Sequence, residues 1–174
     1  MKLFVVRDSD FTLHQSQPAS YLLNYDSYAV RFLSVFTQVT LVGRLFDHED
    51  PTAKPAVGPG VDFLAIPGYH GPLGFVKRLP RVIATIWRSL DPDAAYILRI
   101  PATIPSIYAV LLWLKGIPFA VEVAADPYDG YSKEALSSNR FAPFFQALFV
   151  GMTKWQCRKA AASAYVTRAA LQKR

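Results

Sequence analysis

The sequence is poor in cysteine and histidine. It has one cysteine among 174 residues, Cys157, which excludes an internal disulfide and any metal site built from several thiolates. A single thiol is also typical of proteins in a reducing compartment. The three histidines, His14, His48 and His70, lie far apart in the sequence. We therefore expect a cytoplasmic protein without a metal cofactor.

Long apolar runs are missing as well. The longest charge-free apolar stretch, residues 100–114, contains Pro101 and Pro105 and is shorter than the roughly 18 to 20 residues that cross a bilayer. The first residues lack the apolar stretch and small-residue cleavage site of a signal peptide. We expect neither a membrane-spanning helix nor a secretory signal.

Acidic residues are absent from the last part of the chain. Residues 135–174 contain seven lysines and arginines and no Asp or Glu, so the remainder of this +6 chain carries a net charge of −1. A one-sided basic end indicates an anionic partner surface, such as a membrane bound through residues 135–174. No zinc-finger, RNA-recognition or helix-turn-helix pattern is present, so no nucleic-acid partner is expected.

Several common motifs of α/β enzymes are missing. The first apolar run is followed by Arg7-Asp8-Ser9-Asp10, and without glycines there the backbone cannot closely approach a dinucleotide's pyrophosphate. The sequence has neither a Walker A motif nor a Gly-x-Ser-x-Gly elbow. The glycine-spaced segment 68–74 is interpreted as a loop with a solvated His70, and residues 47–60 as a polar loop containing a solvated His48.

Short apolar runs alternate with helical patterns along the chain, which predicts an open α/β fold: a Rossmann-like parallel sheet flanked by helices, with strand order 3-2-1-4-5 in one domain, residues 1–174. The predicted strands are residues 3–6, 39–45, 61–66, 94–100, 119–123 and 164–166. The predicted helices are residues 28–36, 73–90 with a kink or restart at Pro80, a helix capped by Thr103 that stops at Lys115-Gly116, 139–159, and a last one capped by Thr167. One face of the second helix is predicted to comprise Phe75, Leu79, Ile83, Ile86 and Leu90.

Ligands of such sheets bind beyond the carboxyl ends of the strands, where the strand order reverses. Segments 7–20, 99–103 and 124–131 are therefore expected to form the binding crevice. Its predicted polar lining is Arg7, Asp8, Arg99, Glu122 and Asp126. A salt bridge would also explain Arg7 and Asp8.

Two of these assignments have structural alternatives. Glu122 lies among valines in a strand expected to be buried on both faces, so either its pKa rises or it meets a cation, for which Arg99 is the candidate. A structural ion pair and ligand binding are equally compatible with these two residues. Asp126 and Asp129 either accept hydrogen bonds from a ligand's hydroxyls or form Asx turns around Pro127.

The predicted helix 139–159 has an apolar face and a basic end. Packing of that face on the sheet is favoured, and insertion into a membrane interface beside a lipid-linked substrate is the alternative. Cys157 is interpreted as a helix residue without chemistry. The apolar face of helix 139–159 comprises Phe141, Phe144 or Phe145, Leu148, Met152 and Trp155.

Four patterns together resemble the N-terminal domain of family 4 glycosyltransferases. Arg31-Phe32-Leu33 with Phe36 and Val39 is similar to that family's Arg-Tyr-Leu-x-x-Phe-x-x-Val run. The other three, in the family's order, are residues 90–96, 121–129 and 164–174. Unlike many members, the chain has no paired glycines after its first strand.

The resemblance implies one half of the two-domain GT-B fold, on the acceptor side. The complete enzyme would be a retaining glycosyltransferase that moves a sugar from a nucleotide-sugar co-substrate to a glycan or lipid-linked acceptor, without a cofactor. The donor-binding domain would follow Arg174, in this protein or in a separate partner chain, so the chain alone is expected to be inactive and its catalytic residues are unknown. A non-catalytic binding or assembly module, and an unrelated nucleotide-binding protein, are the alternatives.

Overall fold

A computed structural model describes residues 1–126 and 142–166. It confirms the fold class: the chain is α/β, with an open sheet of mostly parallel strands flanked by helices. The chain divides into two compact units, residues 1–96 and 97–174.

The first unit contains five strands in the order β4-β2-β1-β3-β5. β1, β3 and β5 are parallel, whereas β2 is antiparallel to both β1 and β4. This confirms the expected 3-2-1 order of the first three predicted strands. The strands are β1 (Lys2–His14), β2 (Gln17–Ser20), β3 (Gln38–Glu49), β4 (Lys54–Pro55) and β5 (Val61–Pro67).

β1 and β3 are much longer than predicted. Each begins with a run buried on both faces, as expected for central parallel strands, and then continues through polar residues. β1 ends in a hairpin with β2. The turn between β1 and β2 is formed by Gln15 and Ser16, both with positive φ (51° and 62°). Their backbone N–H groups donate to the carboxylate of Glu49 at 3.1 and 3.0 Å. The prediction of a loop beginning at residue 47 was wrong because β3 continues to Glu49, which holds this turn.

The predicted helix 28–36 is not a regular α-helix. A π-helical turn over Tyr25–Ala29 leads into a 3-10 helix over Val30–Ser34. The side chain of Asn24 caps the first turn by accepting a hydrogen bond from the backbone N–H of Ser27 at 3.0 Å.

The helix α1 (Gly71–Ser89) includes Pro80 without ending there. Its fully buried residues are Val82 and Ile86, whereas Ile83 is 39% exposed. The placement of Ile83 on the packing face was therefore wrong, since the inward side of α1 runs through the neighbouring position.

In the described part of the second unit, three parallel strands lie in the order β6-β7-β8, which confirms the pairing of the fourth and fifth predicted strands. The cap of α2 was predicted wrongly: its N-cap residue is Ala102, whose carbonyl accepts from Ser106 Oγ at 2.7 Å. Residues of the predicted last helix lie outside the described residues. The elements are β6 (Ala95–Ile100), which begins in the first unit, α2 (Thr103–Leu114), β7 (Ala120–Val123), α3 (Ala142–Lys159) and β8 (Ala162–Tyr165).

The face of α3 that packs differs from the predicted one. Gln156 and Thr153 are buried, and Gln156 Nε2 donates to Ser106 Oγ of α2 at 3.2 Å. Of the predicted face, Leu148 is 46% exposed, and Phe144 is 64% exposed whereas its alternative Phe145 is half-buried. Met152 and Trp155 are half-buried as well. Phe141 lies outside the described residues.

Candidate functional site

Arg99 and Glu122 meet at the carboxyl ends of two neighbouring parallel strands. They are register partners on β6 and β7, each one residue before its strand ends. Arg99 Nη1 donates to Glu122 Oε2 at 2.9 Å, and the two side chains are 30% and 24% exposed. The expected ion pair is confirmed, whereas the expected burial of β7 on both faces is wrong, because its residues alternate between buried and half-buried.

Asp126 lies four residues after Glu122 in the sequence. It is half-buried and lies three residues beyond the end of β7. Just after β7, the backbone N–H of Ala124 donates to the carbonyl of Ile100 at 2.8 Å. This hydrogen bond connects the residue that follows β7 to the last residue of β6. Pro127 and Asp129 lie outside the described residues.

Arg7 and Asp8 occupy a bulge inside β1, not a loop after it. The register with β3 is regular up to Val6, which is opposite Val42, and resumes with Asp10 opposite Arg44. From Val6 to Asp10, β1 advances four residues while β3 advances only two, from Val42 to Arg44. Bulges of this kind change the direction of the side chains. The prediction that a strand ends at Val6 was wrong, because pairing resumes beyond the irregularity.

Arg44 holds this bulge in place. Its Nε lies 2.9 Å from Asp8 Oδ1, its Nη2 lies 2.7 Å from Asp10 Oδ1, and its Nη1 donates to the carbonyl of Tyr69 at 3.1 Å. The guanidinium also lies 4.7 Å from the centre of the Tyr69 ring. We call these four residues the Arg44 cluster; it joins β1 and β3 to the segment that follows β5.

Most of the Arg44 cluster is shielded from solvent, whereas Asp10 is exposed. The side chains of Arg44 and Asp8 are 19% and 14% exposed, and that of Asp10 is 54% exposed. Burial is the main cause that raises the pKa of the Tyr69 hydroxyl; the negative charge of Asp8 adds to it and Arg44 opposes it. Tyr69 is therefore neutral under physiological conditions.

Arg7 points to a different partner from Asp8. Its guanidinium lies 5.0 Å from the centre of the buried Tyr28 ring, which Arg31 also approaches, at 4.4 Å. The expected alternative, a salt bridge involving this segment, is formed by Asp8 with Arg44.

The five predicted site residues thus belong to both units. Arg7 and Asp8 lie in the first unit, whereas Arg99, Glu122 and Asp126 lie in the second. The structure brings Arg99 and Glu122 into contact.

Sequence reasoning missed Arg44 as a residue of interest. A usable signal was present, because Arg44 directly follows the apolar run of β3 just as Arg99 lies in that of β6. The same rule, that a charge beside a buried run must be paired or used, points to Arg44.

The histidines singled out in the sequence have ordinary surroundings. His70 is exposed and stacks on Phe46, with ring centres 4.6 Å apart. His48 is exposed within β3 and not in a loop.

A shallow depression of about 500 Å³ lies at the opposite end of the first unit. Its lining combines the starts of β1 and β5 with the end of α1, and its charged residues are Lys2, Asp62, Arg88 and Asp91. Because parallel sheets bind ligands at the carboxyl ends of strands, we assign no function to this amino-terminal edge.

The described residues hold neither a metal-binding group nor a membrane-spanning helix. In residues 1–126 and 142–166, no three His, Cys, Asp or Glu side chains are grouped so that they could hold a metal ion. No helix in this part of the chain has the length and apolar character needed to cross a membrane.

No protein-family model matches the chain, and neither does a curated protein or a solved structure. The function is therefore inferred from the fold and from the residues themselves.

Proposed function

We propose that this chain is the acceptor-side domain of a retaining GT-B glycosyltransferase. The complete enzyme would transfer a sugar from a nucleotide-sugar to a glycan or a lipid-linked acceptor. The resemblance of four ordered sequence patterns supports this proposal. The open, mostly parallel α/β fold is compatible with it.

The observation that carries the proposal is the contact between Arg99 and Glu122 at the carboxyl ends of β6 and β7. Open α/β sheets bind their ligands beyond this edge. The ion pair fixes the direction of both side chains, and about a quarter of each remains exposed, 30% for Arg99 and 24% for Glu122. A polar, partly solvated and preorganised group of this kind suits the hydroxyls of a sugar.

Asp126 would supply the main contact to the acceptor. A carboxylate accepts hydrogen bonds at two oxygens, and bonds from hydroxyls to a charged acceptor are stronger than bonds between neutral groups. Holding the acceptor in one orientation converts a bimolecular encounter into a positioned reaction. Stabilising the leaving diphosphate would be the task of the donor-binding part.

The test is protein-observed NMR with two classes of probe. Methyl glycosides of glucose, mannose and galactose represent acceptors, and UDP-glucose represents a donor. We expect at least one glycoside to shift the resonances of Arg99, Glu122 and Asp126, and UDP-glucose to bind more weakly. The chain alone should show no sugar transfer.

Asp126→Asn should weaken glycoside binding by on the order of tenfold, since it removes the charged acceptor. Asp93→Asn, at an exposed turn, is the matched control and should leave binding unchanged. The proposal fails if no glycoside shifts these resonances. It also fails if UDP-glucose binds more tightly than the glycosides, a result that would instead indicate a nucleotide-binding protein.

A further inference from the structure

The helix α1 carries large apolar residues at its exposed surface as well as on its buried side. Its inward side is buried through Val82 and Ile86. Four other large apolar side chains remain exposed at the surface. They are Leu73 (69%), Val76 (61%), Ile83 (39%) and Trp87 (47%).

These four residues form one continuous stripe. Their spacing of three, seven and four residues brings them to the same side of a helix that turns by about 100° per residue. The stripe extends over about 21 Å, from Leu73 to Trp87, at a rise of about 1.5 Å per residue. Scattered apolar residues on a surface are ordinary, whereas an aligned stripe of this length marks an interaction surface.

The charges of α1 are all of one sign. The helix contains Lys77, Arg78, Arg81 and Arg88 and no Asp or Glu, and all four bases are exposed. None of the four forms an ion pair with a described carboxylate. By the same helical geometry, three of them fall within about 80° of Leu73 around the axis, so the bases flank the apolar stripe.

We propose that α1 is a membrane-docking helix that lies in the plane of an anionic lipid surface. An apolar stripe beside a row of bases is the composition of interfacial helices, whose apolar side enters the acyl boundary while the bases contact anionic headgroups. Trp87 at the end of the stripe suits this boundary, where tryptophan is enriched. The proposal does not depend on glycosyl transfer.

The charge pattern argues against a second copy of the chain as the occupant. Two stripes packed face to face would bring the three flanking bases of each helix together with no acid on either helix, and like charges across an interface oppose association. An anionic bilayer, in contrast, satisfies the apolar stripe and the bases at once.

Vesicle co-sedimentation of the full chain tests the proposal. We expect binding to phosphatidylcholine vesicles that contain about 30% phosphatidylglycerol, on the order of tenfold weaker binding to phosphatidylcholine alone, and a loss of binding as salt screens the bases. Leu73→Ser with Trp87→Ser should weaken binding at least about tenfold. Both side chains are exposed, so the folded chain should tolerate the change, and circular dichroism checks this.

Two matched controls locate the docking surface. Trp113→Ser removes a tryptophan of similar exposure, 49%, from α2, and Lys154→Gln with Arg158→Gln removes two exposed bases from α3. Neither should lower binding as much as the α1 variant. The proposal is overturned if the α1 variant binds as the unmodified chain does, or if the α3 variant alone abolishes binding. A dimer in solution that Trp87→Ser dissociates would also overturn it.

Discussion

Two arginines in parallel strands, Arg44 of β3 in the first unit and Arg99 of β6 in the second, have very different surroundings. Arg44 engages two carboxylates, a backbone carbonyl and an aromatic ring, and is 19% exposed. Arg99 is paired with one carboxylate on the adjacent strand and is 30% exposed. The comparison separates an arginine used to hold the chain from one that a ligand can still reach.

The difference follows from the strands that carry the two residues. β1 has a bulge opposite β3, and the carboxylates of Asp8 inside the bulge and Asp10 beyond it share the guanidinium of Arg44 as their cation. β6 and β7 are in regular register through Arg99 and Glu122, so their ion pair is not needed to hold an irregularity. We therefore expect the first arginine to matter for stability and the second mainly for binding.

The largest effect is expected from Arg44→Met. Removing the guanidinium leaves the shielded Asp8 without its cation, which should lower the free energy of unfolding by about 2–4 kcal/mol. Arg44→Lys should lose less, because it keeps the charge but not the forked geometry. Urea denaturation followed by circular dichroism measures both.

Arg99→Met is the matched control, with an expected loss of less than about 1 kcal/mol for a partly exposed pair. If the two methionine variants lose the same amount of stability, the distinction between the arginines is wrong.

A smaller, pH-dependent effect is expected from Tyr69, whose ring covers Arg44. Its pKa is raised by burial, so the folded chain retains a proton that the unfolded chain releases above about pH 10. The stability contributed by this group is complete below that pH and falls as the pH rises toward the raised pKa.

Tyr69→Phe removes this dependence. The difference in unfolding free energy between the variant and the unmodified chain should therefore change by up to about 1.4 kcal/mol per pH unit above pH 10, in favour of the variant. Burial also raises the pKa of Tyr96, so Tyr96→Phe should shift in the same direction. Parallel pH profiles for the variants and the unmodified chain would contradict the assignment.

The sequence predicted the strand order well because the buried starts of the strands are compact apolar runs. It failed where polar residues remain in strands, as in the second half of β1, whose pairing depends on Arg44 and on the turn held by Glu49. Such long-range contacts leave no local period in the sequence.

Ile83 in α1 and part of the predicted face of α3 were misplaced for a related reason. In α3 the buried side includes Gln156, which finds its partner on Ser106 fifty residues earlier, so apolar spacing alone selects the wrong side. In α1 both the buried and the exposed sides are apolar, and only the fold reveals which is which. The Arg99–Glu122 pair, in contrast, could be predicted because a charge in an apolar strand requires a nearby partner.

The smallest effect is expected at the Arg99–Glu122 pair itself. A double-mutant cycle with Arg99→Met and Glu122→Gln should give a coupling energy of about 0.5–1 kcal/mol, because the pair is partly solvated and salt screens it. Glu122→Gln should lower the free energy of unfolding less than Arg99→Met, since an amide can still accept a hydrogen bond from the guanidinium.

If the coupling energy instead reached the several kcal/mol of a buried pair, Arg99 and Glu122 would be structural in the same sense as Arg44. A ligand would then have to break a strong internal ion pair to bind to these two side chains. The main argument for a binding site at the carboxyl ends of β6 and β7 would no longer hold. A small coupling together with glycoside-dependent shifts of the same residues would separate the two arginines as the structure does.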